Sequence, residues 1–218
     1  MFYSIQKCLL VYNKHMSKEI IGLIAVALVF IAYVPYIRDI IRRKVKPHPV
    51  SWLALVVTSS SIFFLQTSSG SGSGAYATAT VTVFALCVFL LSLKYSKIKL
   101  QLFDVLCLIA SLIGVAVWLF IDRPVLSIIV LLTAELIGFA PTIVKGWKKP
   151  YDDSITLWGT NAIRHMTGFF AIQNYTFITM LNPIVWITVS LSFSTMLLIK
   201  RRHTIKWPWR KRRFEPYN

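Results

Sequence analysis

The chain has 218 residues, 56% of them hydrophobic, and a formal net charge of +16. Several apolar runs of 18 or more residues exclude an ordinary soluble domain and predict an all-α protein that crosses a membrane many times. The basic residues form short clusters between these runs, as in loops beside an anionic lipid surface. They indicate contact with membrane lipids and argue against nucleic-acid binding.

Seven transmembrane helices are predicted, in chain order. Residues 1–18 are too short and too interrupted by Lys7, Asn13 and Lys14 to span a bilayer. They are predicted to be an N-terminal extension of which residues 1–15 are dispensable, and a translation start at Met16 is the alternative. The spans are predicted at residues 20–37, 49–65, 75–93, 102–121, 126–144, 155–172 and 177–199. The uncharged connector at residues 67–74 is rich in glycine and serine, which predicts a flexible turn.

Residue types of the first half return 106 positions later in the second half. The repeated features are a proline within a span, a basic pair after it, and a tryptophan that opens the next span. They are Pro35 with Pro141, Arg42-Arg43 with Lys148-Lys149, and Trp52 with Trp158. The fourth span matches neither half. We therefore predict two parallel three-helix bundles at residues 19–95 and 123–200, a linker helix at 96–122, and a basic cytoplasmic tail at 201–218.

The distribution of Lys and Arg predicts the orientation. In a seven-span arrangement the first, third and fifth connections and the tail carry nineteen basic residues, against four on the other side. Basic residues accumulate in cytoplasmic loops. The N-terminus is therefore predicted outside and the C-terminus in the cytoplasm of a plasma or inner membrane.

Short motifs at repeat-equivalent positions suggest a family. They are Pro35-Tyr36 and Pro141-Thr142, Arg42-Arg43-Lys44 with Ser51, and Lys148-Lys149 with Ser154. With the two repeats and the linker helix, they make most of residues 20–199 resemble the SWEET and PQ-loop transporter superfamily. Tyr36 and Thr142 stand where the PQ dipeptide has its glutamine, as in a bacterial-type branch without it. The resemblance implies a transporter fold and leaves the substrate open.

The prolines Pro35 and Pro141 are candidate hinges. A proline inside a helix removes one backbone hydrogen bond and crowds the carbonyl group four residues earlier, which bends the helix. The resemblance implies that both bends act as hinges, and a static bend is the alternative for each.

Two charged residues fall near the middle of neighbouring spans. Glu135 lies in the fifth span and Arg164 in the sixth, and these spans run antiparallel, which places both side chains at the same depth. A charge at that depth costs several kcal/mol unless it is paired or faces water. We predict that they form an ion pair or line one midplane cavity, and a purely structural ion pair is the alternative.

A polar stripe on the sixth span extends this candidate site. Trp158, Asn161 and His165 share one helical face, with Arg164 on its flank. His165 is either a proton carrier or a packing residue. Transporters bind solutes at the midplane between repeats, so the repeat-equivalent face of the second span is included. The predicted substrate-binding residues are Glu135, Arg164, His165, Asn161, Trp158, Trp52, Thr58, Ser59 and Asn182.

The predicted function is small-solute transport by alternating access, for a sugar or another small polar metabolite. A seven-helix sensor, receptor-like or structural membrane protein is the alternative. An opsin-type pigment is disfavoured because the seventh span contains no lysine for a Schiff base. Enzymatic activity is not predicted, because no nucleophile and no metal-ligand spacing accompany Glu135, Arg164 and His165. No cofactor or metal ion is expected, and homo-oligomerisation is left open.

Overall fold

The computed structural model describes residues 2–43, 47, 49–95, 102–151 and 154–205, with side chains except at residues 2–15, 103, 104, 141, 145 and 203–205. Within these ranges the chain folds into helices without any strand. This confirms the predicted all-α class and the number of main helices. They are α1 (Phe2–Ile41), α2 (Pro49–Ser68), α3 (Tyr76–Tyr95), α4 (Leu102–Ile121), α5 (Pro124–Lys148), α6 (Ile155–Phe170) and α7 (Phe177–Ile205).

Five of the described helices are long and apolar enough to cross a membrane. These candidate spans lie in α1, α2, α3, α5 and α7, with a short 3-10 turn at Gly72–Ala75 leading into α3. A span needs about 20 apolar residues. Helix α4 has 20 residues, within which Val105–Ile121 is a shorter apolar stretch, and α6 has 16 residues. The chain therefore has the composition and helix lengths of a multi-pass membrane protein.

Helix α1 begins at Phe2, so the predicted N-terminal extension continues the first helix. The reason is local, because residues 2–18 contain neither proline nor glycine to interrupt a helix. The backbone of residues 2–18 is therefore helical and continuous with α1, while the side chains of residues 2–15 lie outside the described part and the predicted N-terminal extension stays a prediction. At the other end α7 continues to Ile205, and the tail from residue 206 onward also lies outside it.

The connector between α2 and α3, for which the sequence predicts a flexible turn, is a partly buried turn held by hydrogen bonds. Ser71 and Ser73 are buried, and Gly70 and Gly72 have φ values of 81° and 56° that favour glycine. This turn packs against the turn between α6 and α7. The hydrogen bonds run from Gln173 N to Ser71 O (3.0 Å), from Asn174 N to Gly70 O (3.1 Å) and from Ser73 Oγ to Ala171 O (2.9 Å).

The two turns approach closely because their residues are small. A Cβ atom at Gly72 would collide with the side chain of Gln173. Lys18 of α1 joins the same contact: its Nζ donates to the Ile172 carbonyl oxygen and lies 4.9 Å from the centre of the Tyr175 ring. We call residues 68–76, residues 171–176 and Lys18 the turn seal.

The helices surround a central space. Helix α3 packs against α1 and α2, and α7 packs against α5 and α6. Helix α1 also contacts α6, while α2 contacts α5, and α4 lies against α5 and α2. The largest buried apolar cluster joins α2, α5 and α7 through residues such as Leu65, Leu131 and Ile178. This core holds α5, which carries one of the two charged side chains described next.

Candidate functional site

A cavity of about 570 Å³ lies between the helices. Side chains from α1, α2, α3, α5, α6 and α7 line it, and none of the described α4 side chains does. Eight of the nine predicted substrate-binding residues line this cavity, and Thr58 does not. The eight are Trp52, Ser59, Glu135, Trp158, Asn161, Arg164, His165 and Asn182.

The Glu135 carboxylate is held by neutral hydrogen-bond donors. Trp186 Nε1 donates to Glu135 Oε2 at 2.7 Å, which links α7 to α5. Thr58, buried on α2, places its hydroxyl group beside the same carboxylate. Thr58 also donates to the Leu55 carbonyl oxygen at 3.2 Å. Residues of α2 and α7 therefore position the carboxylate of α5. Thr58 contributes to this although it is buried and does not line the cavity.

The Arg164 guanidinium group is also held by neutral neighbours. Its Nε and Nη2 donate to Asn161 Oδ1 at 3.2 and 2.9 Å, and Nη2 lies 2.6 Å from His165 Nε2. Since a guanidinium group only donates, the Nε2 atom of His165 acts as the acceptor in this arrangement. Asn161 Nδ2 donates in turn to Ser190 Oγ at 2.8 Å. The α6 stripe is thus a network that fixes the orientation of Arg164.

Glu135 and Arg164 do not form an ion pair. Among the described residues, the salt bridge shown by the structure joins Arg38 and Asp39 at 4.0 Å, on the outer side of α1. The two charged groups instead line one cavity. Of the two predicted arrangements, the shared cavity is the one that the structure shows.

Aromatic rings form much of the remaining wall. On the side of α1 and α2, Tyr36 packs on Trp52 with ring centres 5.5 Å apart, and Tyr33 meets the same ring at 6.3 Å. On the opposite side the Trp158 ring packs edge-on against Phe139 at 4.7 Å. The Trp158 Nε1 atom is buried without a hydrogen-bond partner.

Both candidate hinges lie next to the cavity wall. Pro35 is inside α1, and α5 continues through position 141, whose side chain lies outside the described part. The following residues, Tyr36 and Thr142, both line the cavity. The structure therefore places the residues that follow both prolines at the site itself.

Sequence reasoning missed Tyr33, Thr78 and Trp186, which also line the cavity. Helical spacing could have identified two of them, because residues three or four positions apart lie on the same helix face. Tyr33 lies three residues before Tyr36, and Trp186 lies four residues after Asn182. The hydrogen bond from Trp186 to Glu135 joins residues 51 positions apart, and local periodicity carries no information about it.

The described part of the chain is a helical fold with five helices long and apolar enough to cross a membrane, and with a charged internal cavity. The part of the chain that the structure describes contains no cluster of three potential metal-binding side chains. No protein-family model matches the chain, and no curated protein or solved structure shows significant similarity to it. The resemblance to the SWEET and PQ-loop superfamily therefore stays a prediction.

Proposed function

We propose that the chain is a small-solute transporter in which two three-helix units, α1–α3 and α5–α7, move against each other around the cavity. The observation that carries this proposal is a charged cavity lined by both units, with a volume in the usual range for small-molecule sites, roughly 300–1,000 Å³. Transporters built from repeats bind their solute at this place.

The neighbours of each helix support the two-unit arrangement. Exchanging α1 with α5, α2 with α6 and α3 with α7 converts the α1–α6 contact into the α5–α2 contact. The same exchange converts the contacts of α3 with α1 and α2 into those of α7 with α5 and α6. Helix α4 has no counterpart in this exchange, and none of its described side chains lines the cavity, which fits a linker.

The two ends of the cavity support a gated path. Tyr36, Trp52, Thr142 and Leu157 line the cavity close to the helix ends that carry the basic loops. At the opposite end the turn seal has a buried centre that includes Ser71, Ser73 and Ala171, and none of its described residues lines the cavity. We therefore assign the structure to a state open toward the cytoplasm and closed outside. Bending at Pro35 and Pro141 would move Tyr36 and Thr142, which lie at the open end.

Uptake into proteoliposomes tests the proposal with two labelled probes, D-glucose and L-phenylalanine. The protein is expected to move at least one probe faster than protein-free liposomes do. Thr142→Trp fills the cavity and should abolish that uptake. Thr188→Trp adds the same volume on an exposed face of α7 and should not. A folded, monodisperse protein that moves neither probe contradicts the proposal and favours the sensor alternative.

A further inference from the structure

The cavity contains two opposite formal charges that do not neutralise each other directly. Every hydrogen-bond partner that the structure shows for the Arg164 guanidinium and the Glu135 carboxylate is uncharged. The guanidinium group uses Nε and Nη2 for these contacts, and no partner is shown for Nη1 within the described part of the chain. Both groups line the cavity. Each therefore offers hydrogen-bonding capacity to a bound molecule.

The charge balance selects the kind of solute. Charges held away from bulk water are stabilised when an opposite charge contacts them, and a charge-assisted hydrogen bond is roughly twice as strong as a neutral one. An uncharged sugar would leave both groups without a counter-charge, and a singly charged solute would leave one. A zwitterion compensates both, because its anionic group can bind Arg164 and its cationic group can bind Glu135.

The rest of the cavity wall favours a solute with an apolar or aromatic side chain. The two three-helix units contribute different residues to the wall, and both charged residues come from the second unit, from α5 and α6. Helices α1 and α2 contribute mainly apolar and aromatic side chains, including Leu28, Ala32, Tyr33, Tyr36, Trp52 and Ile62. A surface of this kind stabilises apolar groups by removing them from water. A molecule seated with its charged groups on the second unit would therefore place an apolar group against the first.

We propose that the cavity binds a zwitterionic amino acid with an apolar or aromatic side chain. Its carboxylate contacts Arg164, its ammonium group contacts Glu135, and its side chain lies against the aromatic wall of α1 and α2. This assignment of the substrate class rests on the proposed transport function.

Equilibrium binding to the purified protein tests the assignment with L-phenylalanine and two analogues. The analogue 3-phenylpropionate lacks the ammonium group, and 2-phenylethylamine lacks the carboxylate. The wild-type protein should bind L-phenylalanine roughly ten- to hundredfold more tightly than either analogue, since each lost charge contact removes a charge-assisted hydrogen bond.

Variants of Glu135 and Arg164 test which residue binds the ammonium group and which binds the carboxylate of the ligand. Glu135→Gln should weaken L-phenylalanine binding by about tenfold or more and leave 3-phenylpropionate binding almost unchanged. Arg164→Gln should weaken L-phenylalanine binding similarly and leave 2-phenylethylamine binding almost unchanged. Glu19→Gln and Arg123→Gln remove exposed charges outside the cavity and serve as matched controls. If a cavity variant fails to fold, the comparison of the three ligands on the wild-type protein still decides.

Equal affinity for L-phenylalanine and both analogues would overturn the assignment, and so would tight binding that Glu135→Gln and Arg164→Gln leave intact. Uptake of D-glucose without uptake of L-phenylalanine would also overturn it while leaving transport in place. Uptake of neither probe would instead contradict the transport function, so the two failures are distinguishable.

Discussion

The hydrogen bond from Trp186 to Glu135 is the contact whose removal is most informative. Trp186→Phe keeps an aromatic ring against Phe139 and His165 but removes the Nε1 donor, 2.7 Å from Glu135 Oε2. A hydrogen bond to a charged group contributes about 1.5–3 kcal/mol, whereas a neutral bond between membrane helices averages about 0.6 kcal/mol. With an ionised carboxylate, we expect a loss of about 2 kcal/mol in the free energy of unfolding beyond the packing loss.

Trp158→Phe is the matched control, because it measures the packing loss of a tryptophan-to-phenylalanine change without the loss of a hydrogen bond. It removes the same atoms from the same cavity, but its Nε1 atom is buried without a hydrogen-bond partner. Its ring contacts with Phe139 at 4.7 Å and Phe193 at 5.1 Å are closer than those of Trp186. Packing alone would therefore make Trp158→Phe the costlier change. Reversible unfolding in mixed detergent micelles, followed by circular dichroism, gives both values.

The outcome also reports the charge state of the carboxyl group. An excess loss near 2 kcal/mol for Trp186→Phe supports an ionised Glu135, and that excess should disappear in a Glu135→Gln background. An excess of about 0.6 kcal/mol would indicate a neutral carboxyl group. If Trp186→Phe costs less than Trp158→Phe and its cost is the same in the Glu135→Gln background, the hydrogen bond does not stabilise the site and the reasoning is refuted.

Two further predictions concern the turn seal and the orientation. Gly72→Ala should destabilise the protein by about 1–3 kcal/mol, because it combines a positive φ with a collision against Gln173. Gly159→Ala, with open space around the new methyl group, should be neutral or stabilising by up to about 1 kcal/mol in the same unfolding assay. In a cysteine-free background, an impermeant thiol reagent applied to intact cells should label Ser68→Cys and not Arg202→Cys, both exposed positions. The reverse pattern would contradict the predicted orientation.

The sequence was sufficient for the features that follow from local composition and spacing. Helix ends such as Leu102 and Ile121 of α4 coincide with the limits of an apolar run. Glu135 and Arg164 were predicted to share a depth because only span length and antiparallel order enter that argument. The stripe of Trp158, Asn161 and His165 was predicted because helical periodicity fixes which residues share a face.

Features that depend on two distant segments were not predictable in this way. Glycine and serine in the connector indicate flexibility when it is considered alone, yet in the fold they allow two turns to approach closely. That meaning of Gly72 exists only because Gln173 lies against it. The same holds for Trp186, which was no more conspicuous in the sequence than other aromatic residues until α7 placed it beside Glu135.

The asymmetry of the cavity gives the proposed repeats a functional meaning. At the 106-residue spacing, Glu135 corresponds to Val29 and Arg164 to Thr58. Val29 is fully buried in an apolar cluster of α1 and α3. A symmetric site would hold two carboxylates and two guanidinium groups, with like charges repelling across the axis and no preferred direction for a solute. One charge of each sign removes the repulsion and gives a zwitterion a single favoured orientation, with its side chain toward the unit that has no charge to solvate.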